Sequence, residues 1–367
     1  MDHKKVTILC SGFGLGFYIP GLLVRTLLKK EKLDVATDVF ENYMQSEKKE
    51  KINSSKKAYH DNFSMALLVQ RIPIDIRESL DYNKIDKLLA QWEAEDRRHF
   101  IVLSGHWVYI MDAYGEKMGE KSIHVDLLYV DSALSPSWKG LKKYNPTYNE
   151  TYHDSWLFNA KTMTIPYRIP VGEETPIPYE EREDRFVIHG GGWGMGTYQN
   201  KIPELQKLFE LDVVAYEMHE TENRKKGNRY FINKPSWNPW DRGPTDYEFP
   251  PFSQVVDDAP VFSNRQDYHR LYDVIRSAKA IISKPGAGTL IDSLASATPI
   301  IMVDCFGAHE KKNYALWEKM GYGIPYEKWE ASGYDMGLLE ELHNNLLTTM
   351  NEPKHYARDY IARYALA

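Results

Sequence analysis

The chain opens on a short apolar, β-branched run, Lys5 to Cys10, followed by the glycine turn Gly12-Phe13-Gly14-Leu15-Gly16 and then by Leu22, Leu23, Leu27 and Leu28 at helical spacing. This order predicts strand, glycine loop and helix. Leu33 to Phe40, Phe100 to Leu103 and Ile123 to Val130 read as further strands, and Ile85 to Glu95 as a helix. Alternation of this kind predicts an α/β domain with a parallel sheet. Four prolines between Pro166 and Pro178, then the charged run Glu180 to Asp184, read as a linker.

The pattern then restarts. Phe186 to His189 reads as a strand, Gly190 to Gly196 as a glycine loop, Pro203 to Phe209 as a helix and Leu211 to Tyr216 as the next strand. The stretch 219–252, rich in Pro, Trp, Asn and Gly, carries no clear period and is expected to be a long ordered loop. Beyond it, Leu271 to Ala278 and Thr289 to Ala297 predict helices, Ala280 to Ser283 and Pro299 to Val303 strands, and Tyr356 to Tyr364 a closing amphipathic helix. The expected organisation is a first Rossmann-like domain over 1–165, a linker over 166–184, a second Rossmann-like domain over 185–350, and a tail over 351–367 packing back toward the first, with a cleft between the halves.

At 367 residues the chain exceeds one ordinary core, which agrees with two domains. The 46 basic and 52 acidic residues are interspersed, so the charge pattern holds no nucleic-acid footprint. Cys10 and Cys305 lie far apart in apolar stretches, which predicts buried thiols and excludes a cysteine-built zinc site. The start of the chain lacks a signal-peptide pattern, and no apolar run reaches spanning length, so the expected location is the cytoplasm. The lysines between Glu47 and Lys57 are broken by Glu50 and read as a solvated helix face, leaving peripheral membrane contact open but not favoured.

The strongest chemical signal is Ser283-Lys284-Pro285-Gly286-Ala287-Gly288-Thr289-Leu290-Ile291-Asp292, a strand end turning through glycines into a helix. Pro299-Ile300-Ile301-Met302-Val303 and Gly307-Ala308-His309-Glu310-Lys311-Lys312-Asn313 follow it. Glycines let backbone approach a pyrophosphate, and the free amides at the helix start supply hydrogen bonds and a positive dipole end without a metal. The run resembles the donor site of GT-B glycosyltransferases related to the peptidoglycan N-acetylglucosaminyltransferase and the plant galactolipid synthases. That resemblance implies two Rossmann-like domains facing across a cleft and a nucleotide-sugar co-substrate without another cofactor. It places Gly286, Ala287, Gly288 and Thr289 at the pyrophosphate, Asp292 at the ribose hydroxyls, and Glu310 and Asn313 at the donor sugar. Glu310 and Asn313 also suit a plain helix start, as an N-terminal charge and cap.

His189-Gly190-Gly191-Gly192-Trp193-Gly194-Met195-Gly196-Thr197 resembles the same family's glycine loop over the donor phosphates, which implies donor contacts from Gly191, Gly192, Trp193, Gly194 and Thr197. Gly14 stands in the matching N-terminal loop. Base recognition is expected near Phe262 to Gln266, with a uridine donor favoured and a thymidine donor open. Many relatives carry a histidine three residues before the Pro20-Gly21 pair; here that position is Phe17. A proton acceptor is therefore sought elsewhere. His106, after the strand Phe100 to Leu103 and at the sheet edge where open α/β sheets bind ligands, is the first candidate. Asp112 and Asp131 stand behind it.

The expected activity is metal-independent, inverting transfer of a hexosyl or N-acetylhexosaminyl group from a nucleotide sugar to a hydroxyl or amine of a specialised acceptor, such as a natural product, peptide or lipid. Phe17 keeps open a catalytically silent nucleotide-sugar binder or auxiliary subunit, and donor binding alone leaves an epimerase open. A nicotinamide-dependent oxidoreductase is disfavoured because Gly12-x-Gly14-x-Gly16 lacks the dinucleotide spacing. A P-loop is ruled out because Lys284 precedes its glycines. No two aspartates stand two apart, so the Asp-x-Asp of metal-dependent single-domain transferases is absent.

Overall fold

A computed structural model describes residues 5–70, 75–256 and 259–366. The first half carries strands β1 (Val6–Cys10), β2 (Val35–Val39), β3 (His99–Val102), β4 (His124–Tyr129) and β5 (His153–Trp156) in one parallel sheet ordered β2-β1-β3-β4-β5. All five residues of β1 are buried because the strand is central and covered on both faces, whereas β2 at the edge alternates buried and half-buried positions. Helix Leu15–Lys30 lies directly on β1 at Gly21, where a Cβ would overlap Cys10 Sγ. Asp81 caps helix Tyr82–Ala94 by accepting from Lys84 N at 3.3 Å, and Ile85, Leu88, Leu89 and Trp92 form its buried stripe.

The second half is built on β7 (Glu183–Ile188), β8 (Glu210–Ala215), β9 (Arg229–Asn233), β10 (Phe252–Gln254), β11 (Ala278–Ser283), β12 (Ile300–Met302) and β13 (Gly323–Pro325), ordered β10-β9-β8-β7-β11-β12-β13. Only β10 runs antiparallel to its neighbour. The stretch 219–252 is therefore not a loop throughout: β9 pairs with β8 through Tyr230, Phe231 and Ile232, an apolar run too short to stand out in the sequence. The helix expected over Pro203 to Phe209 shortens to Ile202–Leu205 after a 3-10 turn.

Between the sheets, β6 (Tyr167–Arg168) pairs with β14 (Lys354–His355), so the chain passes between the halves twice, side by side. Helix Tyr356–Arg363 then packs on the first half. Tyr356 Oη donates to Asp126 Oδ2 at 2.7 Å and Arg363 Nη1 to Asp126 Oδ1 at 3.2 Å, a fully buried carboxylate of β4. The two cysteines are free; Cys10 is buried as expected, but Cys305 is partly exposed because it faces the cleft. No helix among the described residues is long and apolar enough to cross a membrane.

Candidate active site

One cleft of about 1330 Å³ lies between the two sheets, at the carboxyl ends of their strands. Its C-terminal wall starts where β11 ends at Ser283. Lys284 and Pro285 turn the chain, and helix Ala287–Ser296 begins behind Gly286, whose extended backbone offers no side-chain cap. The first amides of this helix thus have no partner within it. Gly286, Ala287, Gly288 and Thr289 line the cleft. Asp292 lines it too, buried, and accepts from His269 Nε2 at 3.0 Å.

The loop after β7 comes close to Lys284, whose Nζ lies 3.6 Å from where a Cβ on Gly191 would stand. Gly191, Gly192, Trp193 and Thr197 line the cleft. Gly192 must be glycine because a Cβ there would lie 2.5 Å from Leu15 Cγ, across the interdomain contact. Gly14 lines the opposite lip, with open space around it. Thr197 Oγ1 donates to Asp304 Oδ2 at 2.9 Å. Gly194 does not line the cleft; its φ of 59° turns the carbonyl outward, where it accepts from His60 Nδ1 at 2.8 Å. Helix Ser46–Asp61 of the first half crosses to the second here. His60 Nε2 donates to Glu220 Oε1 at 3.0 Å and Tyr59 stacks on Trp193. Against the desolvation that burial imposes, these acceptors raise the His60 pKa.

Glu310 and Asn313 depart from the expected pair of sugar-binding groups. Glu310 lines the cleft, but one oxygen accepts from Lys284 Nζ at 2.7 Å and the other from Phe306 N at 2.5 Å, at the start of its own helix, Gly307–Met320. Asn313 is fully buried and bridges the halves. Its Nδ2 donates to Asp131 Oδ1 and to Pro285 O, and its Oδ1 accepts from Ser132 N and Oγ, all within 2.9 Å. Spacing put the two residues on one helix face, while the close approach of the first half claimed Asn313. Phe262 also misses the cleft and packs on the core of the second half.

On the N-terminal wall, His106 follows β3 and lines the cleft, with Phe40 against its ring at 5.1 Å. Its Nδ1 is buried without a partner, and burial lowers its pKa to about 4. Asp131, after β4, also lines the cleft; burial raises its pKa to about 6, against Asn313 and Lys284. Asp112 is elsewhere. It sits on helix Val108–Met118, outside the cleft lining, and accepts from Tyr152 Oη at 2.6 Å.

Sequence reasoning passed over His189, Lys284 and His309, which stood inside the quoted motifs and line the cleft. His189 Nδ1 accepts from Gly191 N at 3.0 Å, leaving a buried, unpartnered Nε2 that must carry the proton. Burial, with Lys284 and His269 nearby, lowers its pKa to about 3, so it is a neutral donor. Tyr109, Ser135 and Ser137 on the N-terminal wall carried no motif. Among the described residues no group of three or more metal-ligating side chains occurs.

No family profile and no curated protein matches the sequence. Solved structures do. The glycosyltransferase SsfS6 of Streptomyces sp. SF2575 in complex with thymidine diphosphate superposes with a TM-score of 0.57 at 13% identity, covering 98% of this chain and 99% of its own. MurG of Acinetobacter baumannii gives 0.55 at 13% identity over 98% of both chains. The glycosyltransferase SnogD of Streptomyces nogalater gives 0.53 at 13% identity over 99% of both. The chain has the GT-B fold of these glycosyltransferases over nearly its whole length.

Proposed function

We propose that this chain is a glycosyltransferase that moves a sugar from a nucleoside diphosphate to a hydroxyl or amine of an acceptor. The observation that carries this reading is the uncapped start of helix Ala287–Ser296 beside the Gly191–Trp193 loop, on the floor of an interdomain cleft. Its amides, with Lys284 and the neutral Nε2–H of His189, form a donor set suited to a diphosphate leaving group without a metal. Asp292 takes the ribose hydroxyls, exchanging its bond from His269 for them.

The acceptor enters against the N-terminal wall and attacks the anomeric carbon from the face opposite the departing diphosphate, which inverts configuration. His106 receives the acceptor proton through its free Nδ1. A second proton acceptor is favoured by one observation: Asp131 has a pKa near 6, closer to the working pH than that of His106. A uridine donor is the first choice; the thymidine diphosphate bound by SsfS6 makes a thymidine donor the second.

Calorimetric titration with UDP, dTDP, UDP-sugars and NADH, without added metal, tests the reading on the native chain and on Asp292→Ala. Micromolar binding of one nucleotide diphosphate, weakened in the variant, is expected. NADH binding with no response to either diphosphate would overturn it. Binding with no turnover across an acceptor panel would instead support the silent nucleotide-sugar binder that Phe17 keeps open.

A further inference from the structure

Four polar atoms in one sector of the N-terminal wall are buried and have no hydrogen-bond partner among the described residues: His106 Nδ1, Tyr109 Oη, Ser135 Oγ and Ser137 Oγ. All four residues line the cleft. Ser135 is 2% exposed and Ser137 8%. The first two follow β3 and the last two follow β4. Gly105 lets these segments touch, since a Cβ there would lie 2.8 Å from Ser137 O. A buried polar atom left unpaired costs about 1–3 kcal/mol, and native chains pair nearly all of them. Four such atoms together form a patch built for a ligand that supplies the partners.

The surroundings fix the chemistry of that ligand. Phe40, Met44, Ile52, Phe63, Leu67 and Ile76 give the same wall a broad apolar part. The lysines of this wall, Lys48, Lys51 and Lys139, are exposed to solvent. Glu41 is buried, with its oxygens accepting from Ser11 Oγ and Gly12 N. Arg77, stacked over Tyr109, is paired with Asp75. A carboxylate or phosphate brought to the patch would meet neutral groups, with only exposed, solvated lysines such as Lys139 to offset its desolvated charge.

We infer that the patch holds an uncharged head bearing hydroxyl or carbonyl groups, on an acceptor whose body is apolar and lies against Met44, Ile52, Phe63 and Leu67. The inference rests on the transferase reading for the word acceptor, and on the patch alone for the chemistry.

Equilibrium dialysis near neutral pH with 1-naphthol, naphthalene and 1-naphthoate tests it, on the native chain and on a Tyr109→Phe/Ser137→Ala double variant. Naphthol is expected to bind at least about 10-fold tighter than naphthalene or naphthoate, and the double variant to lose about 10-fold for naphthol alone, the worth of two neutral hydrogen bonds. Naphthoate or naphthalene binding as tightly as naphthol, absent naphthol binding, or an indifferent folded variant would each overturn the inference. If the double variant does not fold, the ranking of the three probes on the native chain decides. UDP titrated into the same native sample reads the other proposal separately: UDP binding without the naphthol preference sinks only the patch, and the preference without UDP binding sinks only the transferase.

Discussion

The two walls of the cleft pair their polar groups to different extents. On the C-terminal wall, Asp292 holds His269, Lys284 holds Glu310 and Thr197 holds Asp304, while His189 Nε2, Trp193 Nε1 and His309 Nδ1 stand unpaired. On the N-terminal wall, His106, Tyr109, Ser135 and Ser137 hold nothing. A paired wall contributes to stability while empty and must exchange bonds when a ligand arrives. An unpaired wall has already borne the desolvation cost in the fold and gains it back only on binding. The paired groups of the C-terminal wall should therefore show mutational effects on folding, and the unpaired groups of the N-terminal wall on binding and turnover.

The sharpest way to break that contrast is His106→Gln, expected to lower sugar transfer by about 10²- to 10⁴-fold, the ordinary worth of a proton acceptor, in UDP-release assays. The pH profile assigns the role: kcat/KM rising through about 4 names His106, and rising through about 6 names Asp131. On the paired wall, Lys284→Ala strands the buried Glu310 carboxylate and should cost about 3–5 kcal/mol in denaturant unfolding.

The buried imidazole of His309 provides the next measurement. Burial lowers its pKa from 6.5 to about 4, so the unfolded chain binds a proton that the folded chain refuses. Its stability contribution is present above pH 6.5 and is lost as the pH falls toward about 4. Relative to His309→Gln, the native chain should lose up to about 3 kcal/mol across that window; parallel curves would refute the assignment. Asn313→Ala unpairs the bridge to Asp131 and Ser132 and is expected to destabilise by about 1–3 kcal/mol. Last, Ser135→Ala removes a buried hydroxyl with no partner and with it the desolvation cost, so its unfolding midpoint should rise, by about 1 kcal/mol or more of added stability.

Much of the architecture was legible because both halves begin with a strand, a glycine loop and a helix, a local pattern that needs no tertiary knowledge. The cleft-lining glycines were legible for the same reason: the demand for close backbone approach is written in residue type. What escaped depends on contacts distant in sequence. Asn313 sits three residues from Glu310, yet its partners Asp131 and Ser132 come from the other half. Asp112 lies six residues past His106, but its helix turns it to Tyr152. β9 was hidden because three apolar residues gain their meaning only beside β8. The patch of Tyr109, Ser135 and Ser137 left no periodic trace, since common polar residues become informative only when buried and unpaired.

The paired crossings at β6 and β14 constrain how the molecule can breathe. Both passages of the backbone between the halves run side by side, through Lys354 beside Tyr167 and His355 beside Arg168. Sliding or wholesale separation would tear this ribbon and pull helix Tyr356–Arg363 off Asp126. Rotation about the ribbon breaks neither, and must release only the bonds across the cleft, such as Asn313 to Asp131 and His60 to Glu220, to part the covers as a book on its spine. Cutting the chain before Lys354 would remove half the spine and leave the covers attached by one thread.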